Sequence, residues 1–388
     1  MTRLGTWAFL VSIAYVPFIM SCAVFGRWAV IALGVPLMAE MRLKVLSSVQ
    51  IALVIGLTWA CASLLVTPDK LDGILQFGFM ICLVGVMGVA SQQESLDKAL
   101  EAMCFAMAIN LFFSPSLPFS GDLVAQGSNG YSGLFYNCEV FVELCAPLAV
   151  WAIVKRYWWL AAGPVLPIIM NESRITMFAV AFALVIALWP KSTKHRVMVI
   201  AGAVAAFLII VVGMTLLIDF KLSSALLRLT MWLSTFYAID PLGHGIGWYR
   251  TTHYTEEFAH SDILQAFAEL GLGALPFAVI PFVALRNRRD HAEWAAFIVI
   301  CIELAVSFPL HVPASAFLAA LLAGYLVRDR AVVHMLRWDG RSDHVVDDEW
   351  KAAVRGNARR RSGSGSFVFP ARYSPETISP LGLHRGGA

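Results

Sequence analysis

The sequence predicts an all-α polytopic membrane protein with about twelve transmembrane helices. Hydrophobic residues make up 59% of the 388-residue chain, whereas charged residues make up only 14%. The mean hydropathy of +0.72 lies well outside the range of soluble proteins. Apolar runs of roughly 17 to 22 residues also recur along the chain, and each can cross a hydrocarbon layer of about 30 Å as a helix. Lipid is therefore the expected solvent.

Hydropathy and the charged residues between the apolar runs define the expected spans. The first set covers residues 5–24, 28–40, 46–66, 71–90, 100–113 and 136–154. The second set covers residues 158–170, 175–189, 197–218, 262–285, 292–308 and 313–327. The segment 28–40 is short, so it is either a span or a re-entrant segment. The second alternative lowers the count to about eleven.

Lys and Arg residues in the short loops indicate the orientation, because they accumulate on the cytoplasmic side of a membrane. With the N-terminus inside, the inner loops hold about twice as many of these residues as the outer loops. The outer loops keep a small set: Arg27, Lys70, Arg174, Lys221, Arg228 and Arg250. Both termini are therefore expected in the cytoplasm, and the outer arginines require an explanation.

The composition predicts a transmembrane domain over residues 1–329 and a cytoplasmic tail over residues 330–388. The tail has alternating charges, three consecutive arginines and an end rich in Ser, Gly and Pro. Such a composition is typical of disorder, so we assign the tail no chemistry. Topology explains the net charge of +3, and we expect no nucleic-acid partner.

The seven cysteines lie inside apolar runs or at the edge of one. They include no CxxC pair and no Cys/His cluster with the spacing of a zinc site. We therefore interpret them as small hydrophobic residues and expect no metal site.

A long outer loop over residues 219–261 joins the ninth and tenth spans. Loops of this length tend to be functional. Ser223 or Ser224 is expected to cap a helix within the loop, with Arg228 projecting beside it. The apolar positions of this helix are expected to lie along the membrane interface: Leu226, Leu227, Met231, Trp232 and Phe236.

The same loop contains a turn in which Gly243, Gly245 and Gly247 occupy three of five positions. Glycine allows the backbone to approach a ligand closely and to present N–H groups to anionic oxygens, as in a diphosphate cradle. A tightly turning loop without a ligand has the same pattern. Taken alone, the glycines favour this second alternative.

A polar stripe enters the helix that follows His260. At 100° per residue, Asp262, Gln265 and Glu269 fall within about 60° of one another. Ionisable residues inside a membrane are costly, so Glu269 is expected to face a bundle interior or a cavity. Its role is either substrate binding or an internal structural hydrogen bond.

Further upstream, Ser173 and Arg174 lie between two apolar runs on the outer side. Arg174 is a candidate for binding an anionic group. The alternative is a helix-end ion pair with Glu172.

These features, in this order, resemble the superfamily of O-antigen ligases and O-antigen polymerases, which are membrane glycosyltransferases. The resemblance covers residues 131–285 and has four parts: Ser173-Arg174, the Arg228-to-Trp232 helix, the Pro241-to-Gly247 turn, and His260-Ser261 followed by Gly271 and Gly273. Ala274 stands where the ligase pattern prefers Gly, Thr or Tyr, and the outer loop is shorter than that of a typical ligase. The resemblance therefore leaves the ligase and polymerase branches open.

The resemblance implies a bacterial inner-membrane enzyme with a periplasmic active site and no cofactor. The donor would be a glycan on undecaprenyl diphosphate, and the acceptor a hydroxyl of a glycan or lipid. Arg174 and Arg228 would stabilise the departing diphosphate without a metal, and the anomeric centre would invert. His260 would either accept the acceptor's proton or bind the diphosphate. A chain-length regulator is a possible partner.

Nothing in the sequence identifies a lipid A core acceptor, so we favour a polymerase over a ligase. Protein O-oligosaccharyl transfer differs from both only in the acceptor. A flippase or other transporter would use the same basic cavity without catalysis, but the sequence shows neither internal repeats nor broken helices in matched positions. A purely structural component of an export complex would tolerate substitution of Arg174, Arg228 and His260.

Overall fold

The computed structural model describes residues 3–13, 48–113, 138–170, 173–189, 222–252, 259–286, 290–307 and 309–328. All regular secondary structure in these ranges is helical, and they contain no strand. The all-α prediction is confirmed to this extent. The expected spans at 28–40 and 197–218 and the tail at 330–388 lie outside the described residues.

The chain divides into two units, Met1–Val333 and His334–Ala388, and every described residue belongs to the first. Its first helices are α1 (Arg3–Ile13), α2 (Ser48–Ser63), α3 (Lys70–Ser91), α4 (Asp97–Phe113), α5 (Cys138–Val154), α6 (Trp158–Met170) and α7 (Arg174–Ala187). The next are α8 (Leu222–Tyr237), α9 (Trp248–Thr252), α10 (Asp262–Leu270), α11 (Leu275–Arg286), α12 (His291–Val306) and α13 (Pro313–Leu326). Short 3₁₀ turns occupy Gly271–Ala274 and Pro309–His311.

Local sequence explains where several of these helices begin. The carboxylate of Asp69 accepts hydrogen bonds from the backbone N–H groups of Leu71 and Asp72, which caps α3. α13 begins at Pro313, whose missing N–H group carries no cost in the first helical turn. α8 begins at Leu222, so Ser223 and Ser224 lie inside its first turn. The prediction that one of them caps this helix is wrong.

Within the described residues, two helical stretches are long and apolar enough to cross a membrane by length and composition: Lys70–Ser91 and Asp262–Arg286. The second was expected as one continuous span over 262–285, but the 3₁₀ turn Gly271–Ala274 interrupts it. Other apolar helices are shorter: Val49–Ser63, Phe141–Val154, Trp158–Met170, Ile175–Ala187 and Pro313–Leu326.

The core is centred on α5, whose residues 141–152 are all buried. α5 packs against α6, α7 and α12, while α3 packs along α13 and α1 along α4. Many large apolar side chains nevertheless point away from this core, including Leu65, which is 84% exposed, and Phe282, which is 76% exposed.

Charged side chains pair where α5 ends and α12 begins. Lys155 Nζ lies 2.8 Å from Asp97 Oδ1 and 3.2 Å from Glu293 Oε1, and the indole of Trp151 also donates to Glu293. Arg328, after α13, donates to both carboxylate oxygens of Asp290 at 3.1 Å. We call this region the ion-paired end of the bundle; it comprises Asp97, Lys155, Asp290, Glu293 and Arg328.

Burial alone would lower the pKa of the Lys155 ammonium. The hydrogen bond to Asp97 and the charge of Glu293 oppose this effect, and the net result is a pKa above its ordinary value. Lys155 therefore remains charged at every physiological pH.

Candidate functional site

The predicted polar stripe is present and buried. Asp262, Gln265 and Glu269 lie along α10 with exposed fractions of 4%, 3% and 5%. Ser261 caps this helix by accepting a hydrogen bond from the N–H of Leu264 at 3.4 Å. The expectation that Glu269 faces the interior is confirmed.

Glu269 binds the backbone of the glycine turn. Its Oε2 accepts from the N–H of Gly247 at 3.0 Å, and its Oε1 accepts from the N–H of Tyr249 at 3.4 Å. The side-chain amide of Gln265 donates to the same Oε1 at 3.0 Å. Of the two predicted roles, an internal structural hydrogen bond is the one that these contacts describe.

The N–H groups of the three turn glycines are all paired within the protein. Gly243 donates to the carbonyl of Asp240, Gly245 to the carbonyl of Glu269, and Gly247 to the Glu269 carboxylate. In this structure the turn therefore does not offer these groups to a diphosphate, as a cradle requires. This corrects the first of the two alternatives for the turn.

Glycine is nonetheless required in the turn. Gly243, Gly245 and Gly247 have φ angles of +77°, +95° and +78°. A Cβ on Gly243 would lie 2.4 Å from the carbonyl oxygen of Glu269. The close approach expected of this backbone is therefore an approach to α10, made possible by glycine.

A histidine outside the predicted site completes the polar stripe. His311, in the 3₁₀ turn before α13, places its Nδ1 2.5 Å from Asp262 Oδ1. Asp262 Oδ2 accepts from the N–H of Leu310 at 2.7 Å. The Nε2 of His311 lies 3.1 Å from the amide nitrogen of Gln265.

The partners of Gln265 determine the protonation pattern of His311. Gln265 Oε1 accepts from the N–H of Ala259 at 3.1 Å, which identifies the other amide atom as nitrogen. That nitrogen donates one hydrogen to Glu269 and the other to His311 Nε2. Nε2 is then the acceptor, and Nδ1–H donates to Asp262. These side chains line one side of a cavity, so we call Asp262, Gln265, Glu269 and His311 the cavity end of the bundle.

The cavity end lies at the opposite end of α12 from the ion-paired end. The N–H of Asp262 donates to the carbonyl of Ser307, directly after α12, at 3.1 Å. The hydroxyl of Ser307 also donates to the buried carboxylate of Glu143 in α5. Ser307 thus joins α5, α10 and α12.

His260 has a φ of +51°, which is uncommon for a residue other than glycine. Hydrogen bonds hold the backbone on both sides of it. The indole of Trp232 donates to the carbonyl of His260 at 3.1 Å, and Gln265 accepts from the N–H of Ala259. Strained residues of this kind cluster at functional sites, which supports a functional role for His260.

α8 contacts α10, which brings the Arg228-to-Trp232 pattern to His260. Arg228 lies one turn before Trp232 on the same face of α8, and its side chain is half-buried. Of the apolar positions expected on the interfacial face of α8, Leu226, Leu227 and Phe236 are between 51% and 60% exposed. Met231, expected on that face, is buried instead.

Arg174 begins α7, and its side chain lies outside the described residues. The other end of α7 is fixed by His291, whose Nε2 lies 2.5 Å from the carbonyl oxygen of Ala187. Because α7 therefore runs antiparallel to α12, the backbone of Arg174 lies at the same end of the bundle as Ser307. The hydroxyl of Ser173 donates to Thr176 rather than to a candidate site residue.

A cavity of about 240 Å³ opens beside the polar stripe. Its polar lining residues are Gln76, Asp262, Gln265, Glu269 and His311. Its apolar walls come from α3, α11, α12 and α13 and include Phe79, Leu83, Met87, Phe277, Phe297 and Ala323. Along α3 it extends from Gln76 to Met87, or about 16 Å at 1.5 Å per residue.

Among the described residues, no group of three or more His, Cys, Asp or Glu side chains is suited to hold a metal ion. The chain matches no protein-family model and no curated protein.

Proposed function

We propose that the chain is a multi-pass protein of the bacterial inner membrane, with about twelve spans and both termini in the cytoplasm. Apolar side chains exposed to the extent of Leu65 and Phe282 favour lipid over water as the surrounding solvent. The two long apolar stretches are consistent with this environment. The cavity end then faces the periplasm, because α3 and α10 begin there in the assigned topology.

We further propose that the protein transfers a glycan from undecaprenyl diphosphate to an acceptor hydroxyl, as a surface-polysaccharide polymerase. The observation that carries this proposal is the meeting of three separate sequence patterns on α10. The Trp232 indole binds the His260 carbonyl, the Pro241-to-Gly247 turn is bound by Glu269, and His260-Ser261 opens the helix itself. The three patterns therefore meet at one short helix.

The arginines are proposed to stabilise the charge of the leaving group. Departure of a lipid diphosphate develops negative charge, which arginine stabilises by bidentate hydrogen bonds in a poorly hydrated site. Arg228 is the described candidate for this role, and Arg174 lies at the same end of the bundle. Direct displacement by the acceptor oxygen would invert the anomeric centre without a metal.

The test is the size distribution of surface glycans, separated by gel, in a deletion strain complemented with the wild type, Arg228→Ala or His260→Ala. A polymerase variant that fails leaves single repeats on the usual surface acceptor. A failed ligase leaves full-length polymer on the carrier lipid, and this outcome would replace the polymerase by the ligase.

Arg286→Ala is the matched control, because Arg286 is exposed and ends α11, away from the cavity end. It should restore normal glycan. Membrane levels of every variant are measured by immunoblot. Normal glycan from both Arg228→Ala and His260→Ala at normal levels would refute the catalytic proposal.

A further inference from the structure

We propose that His311, oriented by Asp262, is the base that takes the proton of the acceptor hydroxyl. This inference rests on the transferase function proposed above and names a residue that the sequence patterns do not contain. His260 would then bind the diphosphate, on the side of α10 where Trp232 and α8 pack.

The first reason is the geometry of the Asp262–His311 pair. The short contact between Nδ1 and Oδ1 fixes the ring, and the Leu310 N–H fixes the carboxylate in turn. A carboxylate that accepts from Nδ1–H leaves the lone pair on Nε2 and stabilises the imidazolium once Nε2 is protonated. Asp262 is thus a positioning residue, and His311 carries the reactive atom.

The second reason is the partner that Nε2 now has. Gln265 donates to it through one hydrogen of an amide whose other hydrogen binds Glu269. An acceptor O–H that approached from the cavity would replace the Gln265 hydrogen at Nε2. The remaining bonds of Gln265, to Ala259 and Glu269, hold its amide in place during this exchange.

The third reason is the charge and polarity around the pair. Within the described part of the chain, no Lys or Arg lines the cavity, whereas Asp262 and Glu269 both do. Two carboxylates repel a diphosphate but not a neutral hydroxyl. The apolar walls also limit the water available to compete with that hydroxyl for the donor.

The acceptor oxygen forms a bond to the anomeric carbon, while its proton moves to His311 Nε2. The bond between the anomeric carbon and the diphosphate oxygen breaks, and the lipid diphosphate leaves with the electron pair. The imidazolium returns its proton to solvent or to the diphosphate before the next cycle.

Glycan polymerisation in membranes from the complemented deletion strain tests this role. His311→Ala should lower the rate by about 10²- to 10⁴-fold, the usual contribution of a general base. Added imidazole should restore part of the rate for His311→Ala and none for Arg228→Ala. Asp262→Asn should also lower the rate, and imidazole should not restore it.

His291→Ala is the matched control, because His291 is exposed and contacts the Ala187 carbonyl at the other end of α12. It should polymerise glycan at the wild-type rate. Normal polymerisation by His311→Ala, or a loss that imidazole does not repair at equal membrane levels, would refute the role of His311 as the base. Arg228→Ala tests the transferase proposal separately. If Arg228→Ala and His260→Ala are also normal, the transferase proposal fails.

A measurement without turnover separates the base from a purely structural histidine. In purified full-length protein labelled with ¹⁵N-histidine, the signal missing from His311→Gln identifies His311. It should report a neutral ring protonated at Nδ1, and Asp262→Asn should shift the proton toward Nε2. Protonation at Nε2 in the wild type would overturn the assignment.

Discussion

The two ends of α12 bury polar groups in different ways. At the ion-paired end, Asp97 and Glu293 meet the ammonium of Lys155, and Asp290 meets the guanidinium of Arg328. At the cavity end, Glu269 and Asp262 are held by backbone N–H groups, an amide and an imidazole.

The difference bears on which end can perform chemistry. An ion pair between a carboxylate and a lysine or arginine side chain has no proton to exchange near neutral pH, so it serves as structure. At the cavity end, backbone N–H groups, an amide and an imidazole satisfy the carboxylates, and the accepting nitrogen of that imidazole lies beside a cavity.

Glu269→Ala should have the largest effect on stability, a loss of about 3–5 kcal/mol, because it leaves the buried N–H groups of Gly247 and Tyr249 without an acceptor. The measurement is thermal unfolding in detergent, together with proteolysis within residues 241–250. Glu101→Ala, which removes a largely exposed ion pair with Lys98, should have a much smaller effect, because solvent screens that pair. Equal effects of the two variants would refute the scaffold role of Glu269.

Gly243→Ala should cost about 2–3 kcal/mol and weaken docking of the turn onto α10. Its φ is +77°, and the new Cβ would collide with the Glu269 carbonyl. Leu242→Ala is the control, because the side chain of Leu242 is 70% exposed in the same turn. A stable Gly243→Ala protein with normal proteolytic resistance would contradict the close approach.

Lys155→Met should cost about 1–2 kcal/mol, because the buried Glu293 carboxylate loses its cation and keeps the Trp151 indole. The raised pKa of Lys155 sets the pH dependence. The contribution of Lys155 to the free energy of unfolding is complete below the unfolded-state pKa of about 10.4 and declines as the pH rises through the folded-state pKa.

Thermal unfolding of the wild type and Lys155→Met between pH 6 and 11 should therefore give a constant difference up to about pH 10. The difference should shrink above that pH. A difference that already declines between pH 6 and 9 would mean that the pairing at this end is not the one described.

The smallest expected change is a labelling difference at the exposed apolar side chains of α8. In a cysteine-free background, Leu233→Cys should react slowly with a membrane-impermeant maleimide, because its exposed apolar face would lie in lipid. Leu242→Cys should react quickly. Equal, rapid labelling of both would place α8 in water and contradict an interfacial helix.

The polar stripe was predictable because its three residues follow helical periodicity within one segment. The orientation of α8 was only partly predictable. Apolar residues surround much of this helix, so periodicity could not decide that Met231 and Trp232 face the protein while Leu226 and Phe236 do not. Tertiary contacts with α10 determine which side chains of α8 are buried.

His311 could not be identified from local pattern, because its partner Asp262 lies 49 residues away. The available signal was weak: a histidine in the short connection before the last predicted span, on the predicted outer side. The glycine turn shows a related limit. Sequence predicts close approach of a backbone, but not whether a ligand or the protein's own carboxylate occupies the space.

The interruption of the helical stretch at Gly271 limits how deep polar chemistry can reach. α10 has nine residues, which corresponds to about 14 Å of helix. In the proposed membrane orientation this is less than half of a hydrocarbon layer of about 30 Å. The polar stripe ends there, and α11 continues with apolar side chains until Arg286. A glycan would consequently react near the outer surface, and no sugar would have to enter the hydrocarbon interior.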